Sequence, residues 1–193
     1  AGRRRPGLGD ELDRRGGEAR KVSDVKGGVS EIQWSPDSTR IAFVIGDDDP
    51  DEDPEKKEGW KRKTPPPIVI DRYHFKQDRE GYLRRLYDHI AVLDIATGKH
   101  VVLTSGQVDD GNPAWSPDGQ QIAFLSKRAH ADPDRTANQD LWVIEAREGA
   151  SPRQVTSTPE GESGRPAWSP DGTRIAVLLG DVDRNYAYDM NRL

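Results

Sequence analysis

The chain has 193 residues, of which 33% are hydrophobic and 33% charged, and its formal net charge is −5. This length suits one domain, and no apolar run approaches the ~18 residues that a membrane-spanning helix needs. The absence of cysteine excludes a disulfide scaffold, a thiolate zinc site and a cysteine nucleophile. The acidic balance offers no basic face for nucleic acid, so neither nucleic acid nor a membrane is expected as a partner.

The first regular feature along the chain is a hairpin motif that occurs three times. Ser-Pro-Asp-Gly suits a type I turn, in which proline sets φ at the second corner and glycine takes the positive φ that closes the loop. Ser38 replaces this glycine in the first copy, which should cost that turn some stability. The repeated residues are Trp34, Pro36 and Asp37; Trp115, Pro117, Asp118 and Gly119; and Trp168, Pro170, Asp171 and Gly172.

A second pair of strands accompanies this motif. Residues 89–104 contain a strand, a turn and a returning strand, residues 140–156 repeat the pattern, and residues 12–23 hold a weaker copy. Four short strands in a unit of about 45 residues are typical of propeller blades. The predicted fold is therefore all-β: a partial β-propeller of about three blades with four antiparallel strands each. The motif tryptophans are expected to pack between blades.

One segment departs from the regular spacing. Trp34 and Trp115 are 81 residues apart, whereas Trp115 and Trp168 are 53 apart. Residues 47–67 are rich in acids, lysines and prolines and predict a charged, solvated insertion, after which a hairpin returns to the blade. These features divide one domain, 1–193, into a first blade portion at 10–46, the insertion at 47–67, a second blade at 68–126 and a third blade portion at 140–193.

The repeated Trp-Ser-Pro-Asp-Gly followed by Ile-Ala-Phe resembles the blade of TolB-type propellers. The stretch Ile68–Leu83, IVIDRYHFKQDREGYL, is similar to the propeller of the prolyl oligopeptidase family of serine peptidases, in its acylaminoacyl-peptidase and dipeptidyl-aminopeptidase branch. In that family the propeller filters the peptides that reach an α/β-hydrolase domain. The resemblance implies the first half of such a propeller, without the catalytic domain.

Arg72, Asp78 and Tyr82 are the candidate substrate-facing residues of this stretch. Charged and aromatic groups on the inner rim of a propeller suit contact with a peptide terminus. The same residues also suit a structural role, as an Arg–Asp pair and a packed tyrosine that hold an inserted hairpin. Both interpretations remain open.

No catalytic or metal-binding constellation is visible. The run Gly161–Arg165 fails the Gly-x-Ser-x-Gly pattern at its last position, so Ser163 is expected to be a loop residue and the chain alone no enzyme. The 4 histidines are scattered without the spacing of a zinc site. Asp132, Asp134 and Asp140 are predicted to be solvated, because they lack the ligand spacing of a calcium loop. Neither a metal nor a cofactor is expected.

Two functions remain open at this point. One is a non-catalytic propeller portion that gates or positions peptide substrates for a serine peptidase, and the alternative is a TolB-like module that binds a protein partner. The expected partners are the remainder of the propeller, the hydrolase domain and a peptide. The basic start, residues 1–6, is followed by no apolar signal segment, so a cytoplasmic location is expected.

A further expectation is that the isolated chain self-associates, or is ordered only beside a partner or its own continuation. An open propeller leaves the outer faces of its end blades uncovered, because each blade contacts only its neighbours. Ile175, Val177 and Leu179 are the residues predicted to lie on the exposed face of the last blade.

Overall fold

The computed structural model describes residues 10–11, 20–25, 28–48, 67–78 and 81–180 of the chain. Within these residues the regular structure is β-sheet, apart from a 3-10 turn at Pro133–Arg135. No helix among them is long and apolar enough to cross a membrane. The strands are β1 (Asp10–Glu11), β2 (Arg20–Lys21), β3 (Val29–Trp34), β4 (Arg40–Gly46), β5 (Lys76–Gln77), β6 (Gly81–Tyr82), β7 (Asp88–Asp94), β8 (His100–Val102), β9 (Asp110–Trp115), β10 (Gln121–Ser126), β11 (Asp140–Glu145), β12 (Arg153–Gln154), β13 (Gly161–Trp168) and β14 (Ile175–Gly180).

These strands form an open, partial propeller, as predicted. Blade one is a four-stranded antiparallel sheet in the order β3-β4-β7-β8, and blade two has the order β9-β10-β11-β12. Blade three is described by the pair β13-β14. Two further hairpins, β1-β2 and β5-β6, stand outside these sheets.

The sheets divide the chain differently from the predicted boundaries. The strands at 88–102 pair with β4, in register from Arg40–Asp94 to Gly46–Asp88, and so complete blade one rather than open the second blade. The strands at 140–154 likewise belong to blade two. The spacing is the same whether a blade begins with the motif or with the strand pair. Periodicity alone therefore does not reveal which strands hydrogen-bond to each other.

This pairing places the insertion inside blade one, between its second and third strands. The chain leaves β4 at Gly46 and returns to the sheet at Asp88. We call residues 67–87 the inserted segment; it contains the hairpin β5-β6. Residues 49–66 of the predicted charged insertion lie outside the described residues.

The three motif turns share one hydrogen-bond pattern, which confirms the predicted hairpin chemistry. The N–H of Ser38, Gly119 or Gly172 donates to the carbonyl of the motif serine at 2.9 Å in every copy. The serine Oγ donates to the motif aspartate at 2.5–2.6 Å, and that carboxylate also accepts a backbone N–H two residues later. The serine bond is the main cause that lowers the pKa of Asp37 to about 2, and it lowers the pKa of the two equivalent aspartates as well.

Side chains of the second strand in each blade alternate between the two faces of the sheet. Ala42 and Val44 of blade one pack with Ile122 and Phe124 of blade two in one core cluster. In the next cluster, blade two contributes Ala123, Leu125, Leu141 and Val143, and blade three contributes Trp168, Ile175 and Val177. On the outer side of blade one, Val22 and Val25 cover Ile41, Phe43 and Ile45. Full burial of each large side chain contributes about 1.5–3 kcal/mol.

The prediction that Ile175 and Val177 form the exposed face is wrong. Both pack on blade two, and Leu179, two residues further along the strand, is half-buried. The outward residues are Ala176 and Leu178, of which Leu178 is 37% exposed. An apolar run with hydrophobic residues on both faces does not indicate which face looks outward.

The motif tryptophans join successive blades. The indole N–H of Trp115 donates to the Gln33 carbonyl at 3.1 Å, and that of Trp168 donates to the Ala114 carbonyl at 3.1 Å. Packing between blades is thus confirmed for these two residues. Trp34, at the same position in blade one, is 51% exposed.

Replacing Ser38 with glycine should stabilise the first turn. Ser38 has φ 58°, where Gly119 has 68° and Gly172 has 70°. The left-handed region costs a side-chain-bearing residue about 1–2 kcal/mol, and the extra freedom of glycine in the unfolded chain cancels part of the gain. We expect Ser38→Gly to raise the free energy of unfolding by about 0.5–1 kcal/mol in urea titrations.

The matched control for this prediction is the reverse change in blade two. A Cβ at Gly119 would lie 3.7 Å from Pro36 Cδ, an ordinary contact, so Gly119→Ser tests backbone conformation rather than space. It should lower stability by a similar amount. A neutral or destabilising Ser38→Gly would contradict the strain argument.

Candidate functional site

The inserted segment lies against the loop that follows β10. Between them is a cleft of about 450 Å³, open to solvent on one side. Its walls come from the inserted segment on one side and the 3-10 turn of blade two on the other. The lining includes Ile70, Tyr73, Arg85, Tyr87, Gln107 and Asp132.

Arg72 fastens these two walls together. Its Nε donates to Asp134 Oδ2 at 2.9 Å and its Nη2 to Asp134 Oδ1 at 2.5 Å. Nη1 donates to the carbonyl of Arg84 at 3.0 Å, and the guanidinium lies 5.3 Å from the centre of the Tyr87 ring. The side chains of Arg72 and Asp134 are only 9% and 15% exposed. These contacts give Arg72 a structural role, and the residue also lines the cleft.

The charges of this pair reinforce each other. The bidentate bond to Asp134 raises the pKa of Arg72 against the opposing effect of burial, and the same bond lowers the pKa of Asp134. Asp134 also accepts the backbone N–H of His74 at 3.3 Å. The prediction of solvated carboxylates is wrong for Asp134, which is the partner of Arg72, and for Asp140, which is 3% exposed.

The other two candidates, Asp78 and Tyr82, lie on the exposed side of the β5-β6 hairpin. Asp78 occupies the turn after β5. The Tyr82 ring is stacked on Phe75 with centroids 6.5 Å apart, and the Lys76 ammonium is 5.9 Å from its centre. Because Tyr82 is 50% exposed, this aromatic pair presents a face to solvent.

Apolar side chains on the same segment are also exposed. Ile68, Val69 and Ile70 are 60%, 70% and 57% exposed, and Tyr73 is 63% exposed beneath the guanidinium of Arg135. Large exposed apolar groups are normally scattered singly, whereas these four lie within one short segment.

The base of the insertion is held by a buried histidine. His89 Nε2 is 3.3 Å from Asp47 Oδ1, and its Nδ1 is 3.6 Å from Asp110 Oδ2 at the start of blade two. Asp47 also makes two hydrogen bonds with Tyr87, where the insertion closes: its backbone N–H donates to the Tyr87 carbonyl, and its Oδ2 accepts the backbone N–H of Tyr87. Arg128 donates to both oxygens of Asp110.

These neighbours determine how His89 titrates. Burial disfavours the charged imidazolium, but the nearby carboxylates of Asp110 and Asp47 outweigh it, so the pKa of His89 is raised. Burial also opposes ionisation of Asp110, yet the nearby His89 and the hydrogen bonds from Arg128 lower its pKa. His89 thus lies between the insertion, through Asp47, and blade two, through Asp110.

Ser163 is not placed as a nucleophile. It lies in β13 opposite Leu178, in a strand rather than the predicted loop, and its Oγ has no hydrogen-bond partner among the described residues. A serine nucleophile requires a base within hydrogen-bond reach. Throughout the described residues, no group of three or more acidic or histidine side chains could hold a metal ion.

The residues that build the site were only partly visible in the sequence. Arg72 was recognised, but Asp134 lies 62 positions further on and His89 combines with two aspartates from different blades. The one available signal was local: Asp132 precedes Pro133 and caps the 3-10 turn by accepting the N–H of Asp134.

Removing the partner of Arg72 should release the inserted segment. Asp134→Asn leaves a shielded guanidinium without its carboxylate, and a hydrogen bond to a charged group contributes about 1.5–3 kcal/mol. We expect trypsin to cleave after Arg84 and Arg85 about 10–100-fold faster, because local opening becomes more frequent. Asp132→Asn, which removes the half-exposed partner of Arg135, is the matched control and should change little. Equal cleavage of both variants would contradict the fastening role.

The stability of the chain should depend on pH through His89. The raised pKa means that the folded chain binds this proton more tightly than the unfolded chain. The stabilisation is complete below the ordinary pKa of 6.5 and is lost as pH rises through the folded value. Unfolding free energy should therefore fall as pH rises above about 6.5 in the unmodified chain, and the curve should be flatter in His89→Gln. Parallel curves for the two proteins would exclude this assignment.

Comparison with known proteins points to two groups of propellers. No protein-family model matches the chain. It is 32% identical over 131 residues to the uncharacterized peptidase YuxL of Bacillus subtilis, a match that covers 67% of this chain and 19% of YuxL. The chain thus spans about a fifth of that relative's length.

Two solved structures share the fold. An acylaminoacyl peptidase of Pyrococcus horikoshii matches with a TM-score of 0.60 at 16% identity, over 93% of this chain and 26% of that one. A TolB-type protein of Agrobacterium tumefaciens matches with a TM-score of 0.54 at 22% identity, over 88% of this chain and 44% of that one. The resemblance indicated by the sequence is therefore confirmed: the chain is an open, TolB-like β-propeller domain related to the N-terminal propellers of prolyl oligopeptidase-type peptidases.

Proposed function

We propose that this chain is the non-catalytic propeller portion of an acylaminoacyl-peptidase-like serine peptidase. In this role it gates or positions peptide substrates for an α/β-hydrolase domain. The similarity to the peptidase YuxL supports the peptidase assignment. The observation that carries the positioning role is the inserted segment, which is fastened to blade two yet keeps its apolar and aromatic side chains exposed.

The chemistry of the inserted segment suits an extended peptide. Tyr82 stacked on Phe75 offers a rigid aromatic face at low entropic cost, and Lys76 beside it offers a cation for a peptide carboxylate. Asp78, in the adjoining turn, would meet a peptide amine. Because the Arg72–Asp134 pair holds the backbone in place, little ordering entropy is lost on binding.

The alternative is a TolB-like module that binds a folded protein. The exposed run Ile68–Ile70 favours it, since an extended apolar segment also suits pairing with a partner's sheet edge. The two functions differ in the size of the ligand: short peptides would suffice for the first and would not bind in the second.

Peptide titration of the isotope-labelled chain, followed by NMR, tests the proposal. Short acetylated peptides and their free-amine counterparts should shift the signals of residues 68–85 with dissociation constants on the order of 0.1–1 mM. Tyr82→Ala should weaken binding about 3–10-fold, because an aromatic contact contributes about 0.5–1.5 kcal/mol. Val102→Ala is the matched control, since Val102 is 46% exposed on the outer strand of blade one.

The same samples also test the absence of catalysis. The peptides should remain uncleaved, and cleavage that disappears in Ser163→Ala would contradict a non-catalytic chain. Signals that shift outside the inserted segment, or none that shift at all, would reject the positioning role and leave the protein-binding alternative.

A further inference from the structure

The two junctions between successive blades are built on one frame. We call the contact of blades one and two the first junction, and the contact of blades two and three the second junction. The same position after each motif tryptophan is held by Ile45, Ser126 and Leu179. The third-strand partners of the first two are His89 and Asp140, and the first-strand partners of the last two are Asp110 and Glu162. His89 and Asp110 of the first junction therefore correspond to Asp140 and Glu162 of the second.

A threonine occupies the same place in both junctions. The Oγ1 of Thr104 accepts a backbone N–H of β7 at 2.9 Å, and the Oγ1 of Thr156 accepts one of β11 at 2.8 Å. Each hydroxyl also acts to lower the pKa of the acid on the next blade's first strand, Asp110 in the first junction and Glu162 in the second. The correspondence thus extends from the backbone to the side chains.

The charges at the two junctions are different. In the first, His89 Nδ1 is 3.6 Å from Asp110 Oδ2, and Arg128 donates to both oxygens of Asp110. In the second, the counterpart of His89 is an acid, Asp140. The sequence also has Asp181 at the position of Arg128, although Asp181 lies outside the described residues. Two basic positions of the first junction are therefore acidic in the second.

The two acids of the second junction are buried. Asp140 and Glu162 are 3% and 2% exposed, and the Glu162 N–H donates to the Gln139 carbonyl at 3.0 Å, which brings Glu162 beside the start of β11. Asp140 Oδ2 accepts a hydrogen bond from Gln154 at 3.1 Å, and Glu162 Oε1 lies 3.3 Å from Thr158 Oγ1. Glu162 Oε2 has no hydrogen-bond partner among the described residues. An ionised Glu162 would thus leave a buried, charged oxygen unsatisfied.

The surroundings of the pair favour its protonated forms. Burial raises the pKa of both Asp140 and Glu162, and the charge of Asp140 raises that of Glu162 further. His130, in the loop before β11, is the titratable base that faces the pair: its Nε2 is 3.9 Å from Asp140 Oδ2 and its side chain is 30% exposed. On the other side, β12 contributes the uncharged Gln154.

We propose that a proton replaces the missing cation in the second junction: Asp140 and Glu162 retain one proton between them while blade three is packed on blade two. Two carboxyl groups in one buried place titrate as a pair, because the first negative charge opposes the second. When the proton leaves to solvent, the two charges repel each other and the second junction opens more often. The packing of blade three is thereby sensitive to pH. This inference is independent of peptide binding.

The direction of the effect follows from proton linkage. Raised pKa values mean that the folded chain binds the proton more tightly than the unfolded chain. The stabilisation is complete below the ordinary values of 3.8 for Asp140 and 4.5 for Glu162, and it is lost as pH rises through the folded values. His89 acts in the same direction in the first junction, so the measurement has to report on the second junction alone.

NMR titration of the isotope-labelled chain reads this junction directly. The side-chain carboxyl signals of Asp140 and Glu162 should titrate together, with the later midpoint at least about one pH unit above the ordinary value for glutamate. Hydrogen-exchange protection of the Glu162 N–H, corrected for the intrinsic rate, should fall about tenfold or more between about pH 5 and 8.

Two neutral variants isolate the pair. Glu162→Gln and Asp140→Asn each keep the shape of the side chain and leave one acid, so protection at residue 162 should no longer fall with pH and should exceed that of the unmodified chain at high pH. Glu145→Gln is the matched control, because Glu145 lies at the other end of β11 and is 53% exposed. It should behave like the unmodified chain.

Three outcomes would each overturn the proposal. The first is that both carboxyl groups of the unmodified chain titrate at their ordinary values, a result that does not depend on whether any variant folds. The second is protection at residue 162 that is the same at low and high pH in the unmodified chain. The third is that millimolar calcium chloride restores protection at high pH, which would assign the pair to a cation instead of a proton.

Discussion

The bond from a motif tryptophan to the carbonyl of the preceding blade is the contact on which the architecture depends. An indole has one N–H donor and a large apolar ring, so burial between sheets requires both an acceptor and a close-packed surface. The acceptors are the carbonyls of Gln33 and Ala114, each of which directly precedes the motif tryptophan of the preceding blade. This fixes how each blade is placed on the one before it, and the alternating apolar side chains then interlock.

The fold class was predictable because its signals are local. Serine, proline, aspartate and glycine in one turn determine a hairpin whose three copies have the same bonds. The blade boundaries were not predictable, because a repeat has the same period wherever it is cut. The prediction of which face looks outward failed for a related reason. Ile175 and Leu178 are equally apolar, and only the position of the neighbouring sheet distinguishes them.

The site was predictable only as far as the local pattern reached. The stretch around Arg72 and Tyr82 was recognised from its composition and family likeness, but the partner of Arg72 was not. Asp134 belongs to blade two, whereas Arg72 lies in the segment between β4 and β7 of blade one, so only the folded arrangement of the strands brings the two residues together. The contacts of His89 were even less predictable, because neither Asp47 nor Asp110 lies near it in sequence. Charge pairs of this kind follow from topology, not from spacing.

The position of the inserted segment explains how its described residues can be exposed and yet held in place. It interrupts blade one between β4 and β7. These neighbouring strands pair from Arg40 to Gly46, and their pairing brings the two ends of the insertion together. Asp47 and Tyr87 seal its base, and the Arg72–Asp134 pair fixes its far part to blade two. Because the segment is attached to two blades, its exposed aromatic face has a defined position relative to both of them.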